Sequence, residues 1–328
     1  MKIIGIYGHM GFSRQLAATK HDWTFVLFDD RAKKEHGYRD LFTDKEKNNF
    51  NIIGTDEFWE KINNDYFDAV YLDKDWTIQR FCHLNMPKLY GWVNVRLPVP
   101  ETIKAIGDTP FIPTTSNDWD IRPQDRIVSI GVDPNDFPKR DIDEVINEGY
   151  LFPVNCYLKV ALRAEKEGEH YLRVVGYDWD DVISDPNLPI KKCGYNPIYD
   201  ERFKTSTRVD RHVFKEWMRN YASLFQPSPM KHHSNIMAEA LMTGQAIITR
   251  PMKQYRVNSS HLINNWNSII ISKMEDFRKL HRSGFLKDKK KLKQLGENAH
   301  QTAIDHFNMK RTTEKWEEFI EHSIAWQS

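Results

Sequence analysis

The sequence predicts a two-domain α/β protein built on parallel sheets, and three observations lead there. At 328 residues the chain exceeds ordinary single-domain length, so two separate cores are expected. Short β-branched or aromatic runs alternate with longer amphipathic stretches, the pattern of successive β-α units. A proline-rich segment from Leu97 to Pro123, carrying Pro98, Pro100, Pro110, Pro113 and Pro123, separates two such series. The expected division is residues 1–122, residues 123–305, and a last helix over 306–328 that packs back on the first domain.

In the first half, strands are expected at Lys2 to Tyr7, Thr24 to Phe28, Asp68 to Leu72 and Lys88 to Val95. Ligands of an open parallel sheet bind beyond the carboxyl ends of its strands. That rule singles out His9 to Arg14, Asp29 to Arg31, Asp73 to Trp76 and Asn94 to Arg96. The second half restarts at Arg126 to Gly131, with a helix at Val154 to Glu167 and a strand at Tyr171 to Gly176. A helix over Arg211 to Tyr221, a strand over Ala222 to Phe225, a turn at Gln226 to Pro229, a helix over Ser234 to Met242 and a strand over Gln245 to Thr249 follow. Met274 to Trp326 reads as consecutive amphipathic helices, and no internal repeat is evident.

Composition removes several function classes. No apolar run approaches the ~20 residues that span a bilayer. The opening MKIIGIYG lacks the apolar stretch and cleavage site of a secretory signal, so a cytoplasmic location is expected, the host cytoplasm if the gene is a phage's. Three dispersed cysteines, Cys82, Cys156 and Cys193, suit reduced thiols rather than a disulfide framework or zinc site. A net charge of +1 means that nucleic acid would be held by a local patch and not by the field of the whole protein. One basic run, Arg278 to Lys293, has eight Lys or Arg and one Asp, and reads as a solvated helix face.

The chemistry concentrates in Arg208 to Pro251, RVDRHVFKEWMRNYASLFQPSPMKHHSNIMAEALMTGQAIITRP. Here a helix, an apolar strand, Pro227-Ser228, a polar loop, a helix bearing Glu239-Ala240, Gly244 and a second apolar strand follow in order. This segment resembles the donor-binding half of the GT-B glycosyltransferases, and the likeness extends over about 200 residues, from IVSIGVDPNDFPKRDIDE to the closing helices. The resemblance implies a GT-B architecture: two Rossmann-like domains facing a central cleft, with C-terminal helices. It implies transfer of a sugar from a UDP-sugar bound mainly by the second domain, with no metal cofactor required. Glu239 corresponds to the carboxylate that accepts the ribose hydroxyls. Ser228, Lys231, His232, His233, Ser234 and Asn235 correspond to the donor loop and helix start, and Lys139 and Arg140 to cations for the diphosphate. A loop running into a helix N-terminus offers free N–H groups and a positive dipole end, which is the physical basis of such a site.

The retaining members carry a Glu eight residues before the ribose Glu, where this chain has Lys231, so stereochemistry stays open. Lys231, His232 and His233 place positive charge where a departing diphosphate would develop negative charge. In the first half, KLYGWVNVRLPVP resembles a segment of the T-even phage DNA β-glucosyltransferases, with Asn94 where those enzymes have a basic aspartate. An amide orients a hydroxyl but cannot take its proton, so the base must be sought at His9, Asp73 or Asp75. Asp73-Lys74-Asp75 is also a DxD, the metal-binding motif of the GT-A fold and the alternative to GT-B. Trp76, Trp92, Tyr38 and Arg96 are candidates for holding an acceptor base. A 5-hydroxymethylpyrimidine in double-stranded DNA is the leading acceptor. The alternatives are a surface glycan or small acceptor, and a nucleotide-sugar-binding protein without catalysis. A monomer is expected.

Overall fold

The computed structural model describes residues 1–6, 10–26, 50–91, 98–112, 122–153, 185–193, 199–200, 205–206, 211–226, 235–251 and 261–328. The chain divides into two compact units, Met1–Gly131 with Met309–Ser328, and Val132–Asn308.

The first unit is built on β1 (Lys2–Ile6), β2 (Asp22–Val26), β3 (Phe50–Ile53), β4 (Ala69–Leu72), β5 (Lys88–Gly91) and β6 (Phe111–Ile112). They form one sheet in the order β3-β2-β1-β4-β5-β6, with every pairing parallel. Both faces are covered, which explains why strands such as AVYL are apolar throughout instead of alternating. One face carries α1 (Met10–Ala17) and α9 (Met309–Gln327), the last helix of the chain. There Ile3, Trp23, Phe25, Tyr71 and Leu89 pack with Trp316, Phe319 and Ile320. The other face carries α2 (Thr55–Asn63), α3 (Asp75–Phe81) and α4 (Pro100–Ile106), with Ile4, Val26, Val70 and Leu72 against Phe58, Ile78, Phe81 and Ile106. Polar clamps hold α9: the Lys20 amide donates to Glu317 Oε1 at 2.7 Å, and Gln327 exchanges hydrogen bonds with the backbone of Lys88 at 2.8 and 2.9 Å.

The second unit contains β7 (Asn147–Pro153), β8 (Ile190–Cys193), β11 (Tyr221–Gln226), β12 (Ala246–Thr249) and β13 (Ser268–Ile270), ordered β13-β12-β11-β7-β8 and again parallel throughout. A separate antiparallel pair joins β9 (Tyr199–Asp200) and β10 (Thr205–Ser206). The helices are α5 (Arg211–Asn220), α6 (Asn235–Met242), α7 (Met274–Arg282) and α8 (Lys289–His306). No helix among the described residues is long and apolar enough to cross a membrane.

Several expectations are corrected. Arg126 to Gly131 does not open the second sheet: it forms no strand, and Val128 and Ile130 lie in the core of the first unit beside Trp316. The first strand of the second sheet is β7, hidden in sequence because NEGYLFP carries both Gly and Pro. The described part of the proline-rich stretch is structured up to Ile112, since Pro100 occupies the first turn of α4, where its missing N–H costs nothing, and β6 follows. The expected helix at Val154 to Glu167 and strand at Tyr171 to Gly176 lie outside the described residues.

Gly244 has a mechanical role. It closes α6 with φ +70°, its N–H donating to the Leu241 carbonyl and that of Gln245 to Ala240, the paired bonds of a Schellman cap. Gly296 of α8 lies directly against it, and a Cβ there would collide with the Gly244 carbonyl oxygen. We predict that Gly296→Ala lowers unfolding free energy by about 1 to 3 kcal/mol, the usual cost of overpacking. Thermal melts would show it as a Tm drop of several degrees, and an unchanged Tm would refute the contact.

Candidate functional site

A parallel sheet whose strand order reverses direction has a crevice outside the carboxyl ends of the two strands at the reversal. In the first unit those strands are β1 and β4. Asp73 follows β4 immediately and is 3% exposed, and its Oδ1 has no hydrogen-bond partner among the described residues. Burial raises its pKa to about 6, while Lys74 and the Asp73 backbone amide pull the other way. A carboxyl in that position is half-ionised at about pH 6 and mostly ionised at neutrality, a condition that suits a general base.

Its neighbour Asp75 has different work. Asp75 Oδ1 accepts from the Val99 amide at 3.0 Å and from Thr102 Oγ1 at 2.6 Å, tying α3 to the start of α4. Thr77 closes the N-terminus of α3 by accepting from the Lys74 amide at 3.0 Å. The DxD thus separates into one buried carboxyl, whose Oδ1 has no partner among the described residues, and one structural carboxylate. Among the described residues no group of three or more His, Cys, Asp or Glu is arranged to hold a metal ion. Trp76, on the first turn of α3, is 44% exposed. His9, Trp92, Asn94 and Arg96 lie outside the described residues.

In the second unit the reversal lies between β7 and β11. Gln226 ends β11, is buried, and its Oε1 has no partner among the described residues; its own carbonyl accepts from Thr249 Oγ1 at 2.9 Å. Each sheet therefore places an unpaired, buried side-chain oxygen at the carboxyl end of the strand just past its reversal. Sequence reading missed Gln226, treating it as the start of a turn; a polar residue closing an apolar strand, YASLFQ, was the available signal. Asn235 opens α6, and Glu239 lies one turn further along, buried at 6% exposure, so it is not a solvated helix carboxylate. Ser228, Lys231, His232, His233 and Ser234 lie in 227–234, which joins β11 to α6 and falls outside the described residues.

The structure corrects one assignment. Arg140 was expected to face the diphosphate, yet its guanidinium is buried and donates to the carbonyls of Tyr221, Ala222 and Gly244. Those carbonyls lie at the amino ends of β11 and β12, the edge opposite the crevice. Its amide donates to the Thr243 carbonyl on the same edge, so the exposed Lys139 before it is placed there too. Burial lowers the Arg140 pKa to about 9, which leaves it a cation at neutral pH. Arg140 is a strut between strands.

No protein-family model matches the sequence, and none of the curated proteins does. Solved structures match along the whole chain. HepE of Anabaena in complex with UDP-glucose has a TM-score of 0.67 at 11% identity, covering 98% of this chain and 99% of that one. A glycosyltransferase from Rickettsia africae has a TM-score of 0.60 at 11% identity, with 98% of each chain covered. Sucrose-phosphate synthase from Thermosynechococcus elongatus has a TM-score of 0.57 at 10% identity, covering 99% of this chain and all of that one. The α/β fold is therefore that of the GT-B glycosyltransferases, as the donor-half motif implied. The likeness of KLYGWVNVRLPVP to the phage DNA enzymes rests on sequence alone.

The shift at Asp73 has a stability consequence whose sign follows from linkage. Its folded pKa, about 6, exceeds the ordinary aspartate value of 3.8, so between those values the folded state binds the proton and the unfolded state releases it. Stability from this group is complete below pH 4 and is lost as pH rises through about 6, a penalty of about 2 to 3 kcal/mol above that. Asp73→Asn should therefore stabilise the protein at pH 8 and have little effect at pH 4. Denaturant midpoints at the two pH values test this, and destabilisation at pH 8 would mean that Asp73 is paired.

Proposed function

We propose that this protein is a glycosyltransferase that moves a sugar from a UDP-sugar to an acceptor hydroxyl, with Asp73 as the base. The observation that carries the reading is the buried Asp73 carboxyl at the β1/β4 reversal, its Oδ1 without a partner among the described residues and its pKa raised to about 6. The donor class is supported by the fold shared end to end with HepE, which was solved with UDP-glucose. In this reading the ionised Asp73 takes the acceptor proton as the acceptor oxygen attacks the anomeric carbon and the bond to UDP breaks. Glu239 accepts the ribose hydroxyls, and Gln226 Oε1 takes a donor N–H from the nucleotide. Lys231 and His232, with the N-terminus of α6, neutralise charge growing on the departing diphosphate. Catalysis then needs no metal. The acceptor we favour is a 5-hydroxymethylpyrimidine in double-stranded DNA, supported by KLYGWVNVRLPVP, with Trp76, Trp92 and Arg96 around the base and Asn94 orienting the hydroxyl.

The test is a panel of UDP-sugars against hydroxymethylated DNA, unmodified DNA and small glycans, followed by UDP release and by mass of the acceptor. Glycosylated glycan with inert DNA would keep the transferase and discard the DNA acceptor. No UDP release with any pair would sink both.

Two variants probe the roles. Glu239→Ala should weaken UDP binding by about 1.5 to 3 kcal/mol, the loss expected for hydrogen bonds to a charged group, without unfolding the protein. Unchanged affinity by titration calorimetry would remove the ribose role. Lys231→Ala should lower kcat by about 10² to 10³ while changing UDP affinity little, because a contact that strengthens in the transition state acts on turnover. Activity should also rise with pH through about 6 as Asp73 ionises, and that limb should disappear in Asp73→Asn together with the activity. Full turnover in EDTA is expected, and loss restored by Mn²⁺ would favour the metal-dependent alternative.

A further inference from the structure

At the amino edge of the second sheet, opposite the crevice, lies an open groove of about 320 Å³ whose lining includes Asn147, Glu148, Gly149, Lys191 and Tyr221. Its shape has an identifiable origin. β7 and β11 pair at Tyr221 with Asn147 and again at Ser223 with Tyr150, so β7 spends one residue more than its partner over this interval. The result is a bulge in a parallel pair, where bulges are rare, and bulges re-aim side chains next to functional sites. Within the bulge, Gly149 has no side chain, and a Cβ there would sit 3.2 Å from ring carbons of Tyr221 and 2.9 Å from the Pro189 carbonyl. The Tyr221 ring therefore lies close over the bulged backbone. Trp217 stands edge-on to Tyr221 with centroids 6.4 Å apart, and Lys191 Nζ is 4.6 Å from the Trp217 ring centre.

The chemistry of the lining narrows the ligand. Glu148 and Lys191 cancel in charge, which disfavours a phosphate or any other multiply charged group. Asn147 offers both a donor and an acceptor, Glu148 accepts, and Lys191 donates, so neighbouring hydroxyls find partners of either sense. The aromatic ring supplies an apolar platform of the size of one six-membered ring. An apolar face bordered by a few convergent polar groups is the general form of a small-molecule site.

We propose that this groove is a saccharide-binding site, holding one neutral pyranose ring against Tyr221 with its hydroxyls shared among Asn147, Glu148 and Lys191. The site stands apart from the crevice at the carboxyl ends of the strands, and it does not rest on the transfer reaction proposed above. If that reaction is also present, the groove serves a sugar chain and not the donor.

The experiment uses the full chain with UDP at saturating concentration, so that nucleotide binding is held constant. Methyl glucoside, methyl galactoside, maltose and cellobiose are the probes, read by saturation-transfer NMR and titrated. The expected result is saturation of ring protons by at least one probe, with affinity at least tenfold weaker in Tyr221→Ala and in Glu148→Ala. UDP binding should be the same in both variants. Glu148 is exposed, so its variant keeps the test valid should Tyr221→Ala fold poorly. Absence of saturation transfer from all four probes would overturn the proposal, as would sugar binding unchanged in Glu148→Ala, or displacement of the bound sugar by inorganic phosphate. Failure of UDP to bind would count against the transferase alone.

Discussion

The feature on which the rest depends is the reversal of strand order in each parallel sheet, between β1 and β4 and between β7 and β11. A parallel strand must be followed by a crossover, and right-handed crossovers place their helices on one face when the sheet grows one way and on the other when it grows back. At the reversal the two flanking connections part to opposite faces, and the strand ends between them are left uncovered. Everything polar and unpaired at those ends follows from that geometry. Asp73 and Gln226 are two solutions to the same placement, one titratable and one neutral, and both keep a buried oxygen without a partner. Buried polar atoms are normally satisfied, because leaving one unmade costs about 1 to 3 kcal/mol.

The amino edge of the second sheet is held by other means. Arg140 gathers carbonyls at the starts of β11 and β12, and Gly244 and Gly296 allow α6 and α8 to meet backbone to backbone.

Much of this was legible in the sequence. YASLFQ, NIMAEALM and AIIT announced β11, α6 and β12 to within one or two residues, because strong β-type runs and a Gly-capped helix are local signals. The GT-B architecture was legible for the same reason, since the donor half carries its elements in a fixed order. Other parts depend on distance in space and left no local trace. Arg140 beside Lys139 looks like a cationic loop, and only the fold shows three carbonyls converging on its side chain. Asp73 and Asp75 look alike in sequence, yet they part in the fold because one is buried at the carboxyl end of β4 and the other meets Val99 and Thr102 far along the chain. β7 was hidden because its bulge tolerates a glycine and its end a proline, both of which read as breaks.

The return of α9 to the first unit has a consequence for biogenesis. Trp316, Phe319 and Ile320 are fully buried among Ile3, Trp23, Tyr71 and Leu89, so β1, β2, β4 and β5 share a core with a helix that follows them only after the whole second unit. While a ribosome is still elongating residues 132–308, that face of the nascent first sheet is open and its aromatic side chains are wet. The second unit has all of its own core once Asn308 emerges and is free to fold before the first is finished. The first core can be completed only after residues 132–308 have been made, and until then the Trp23 and Tyr71 face is the surface a nascent-chain chaperone would meet.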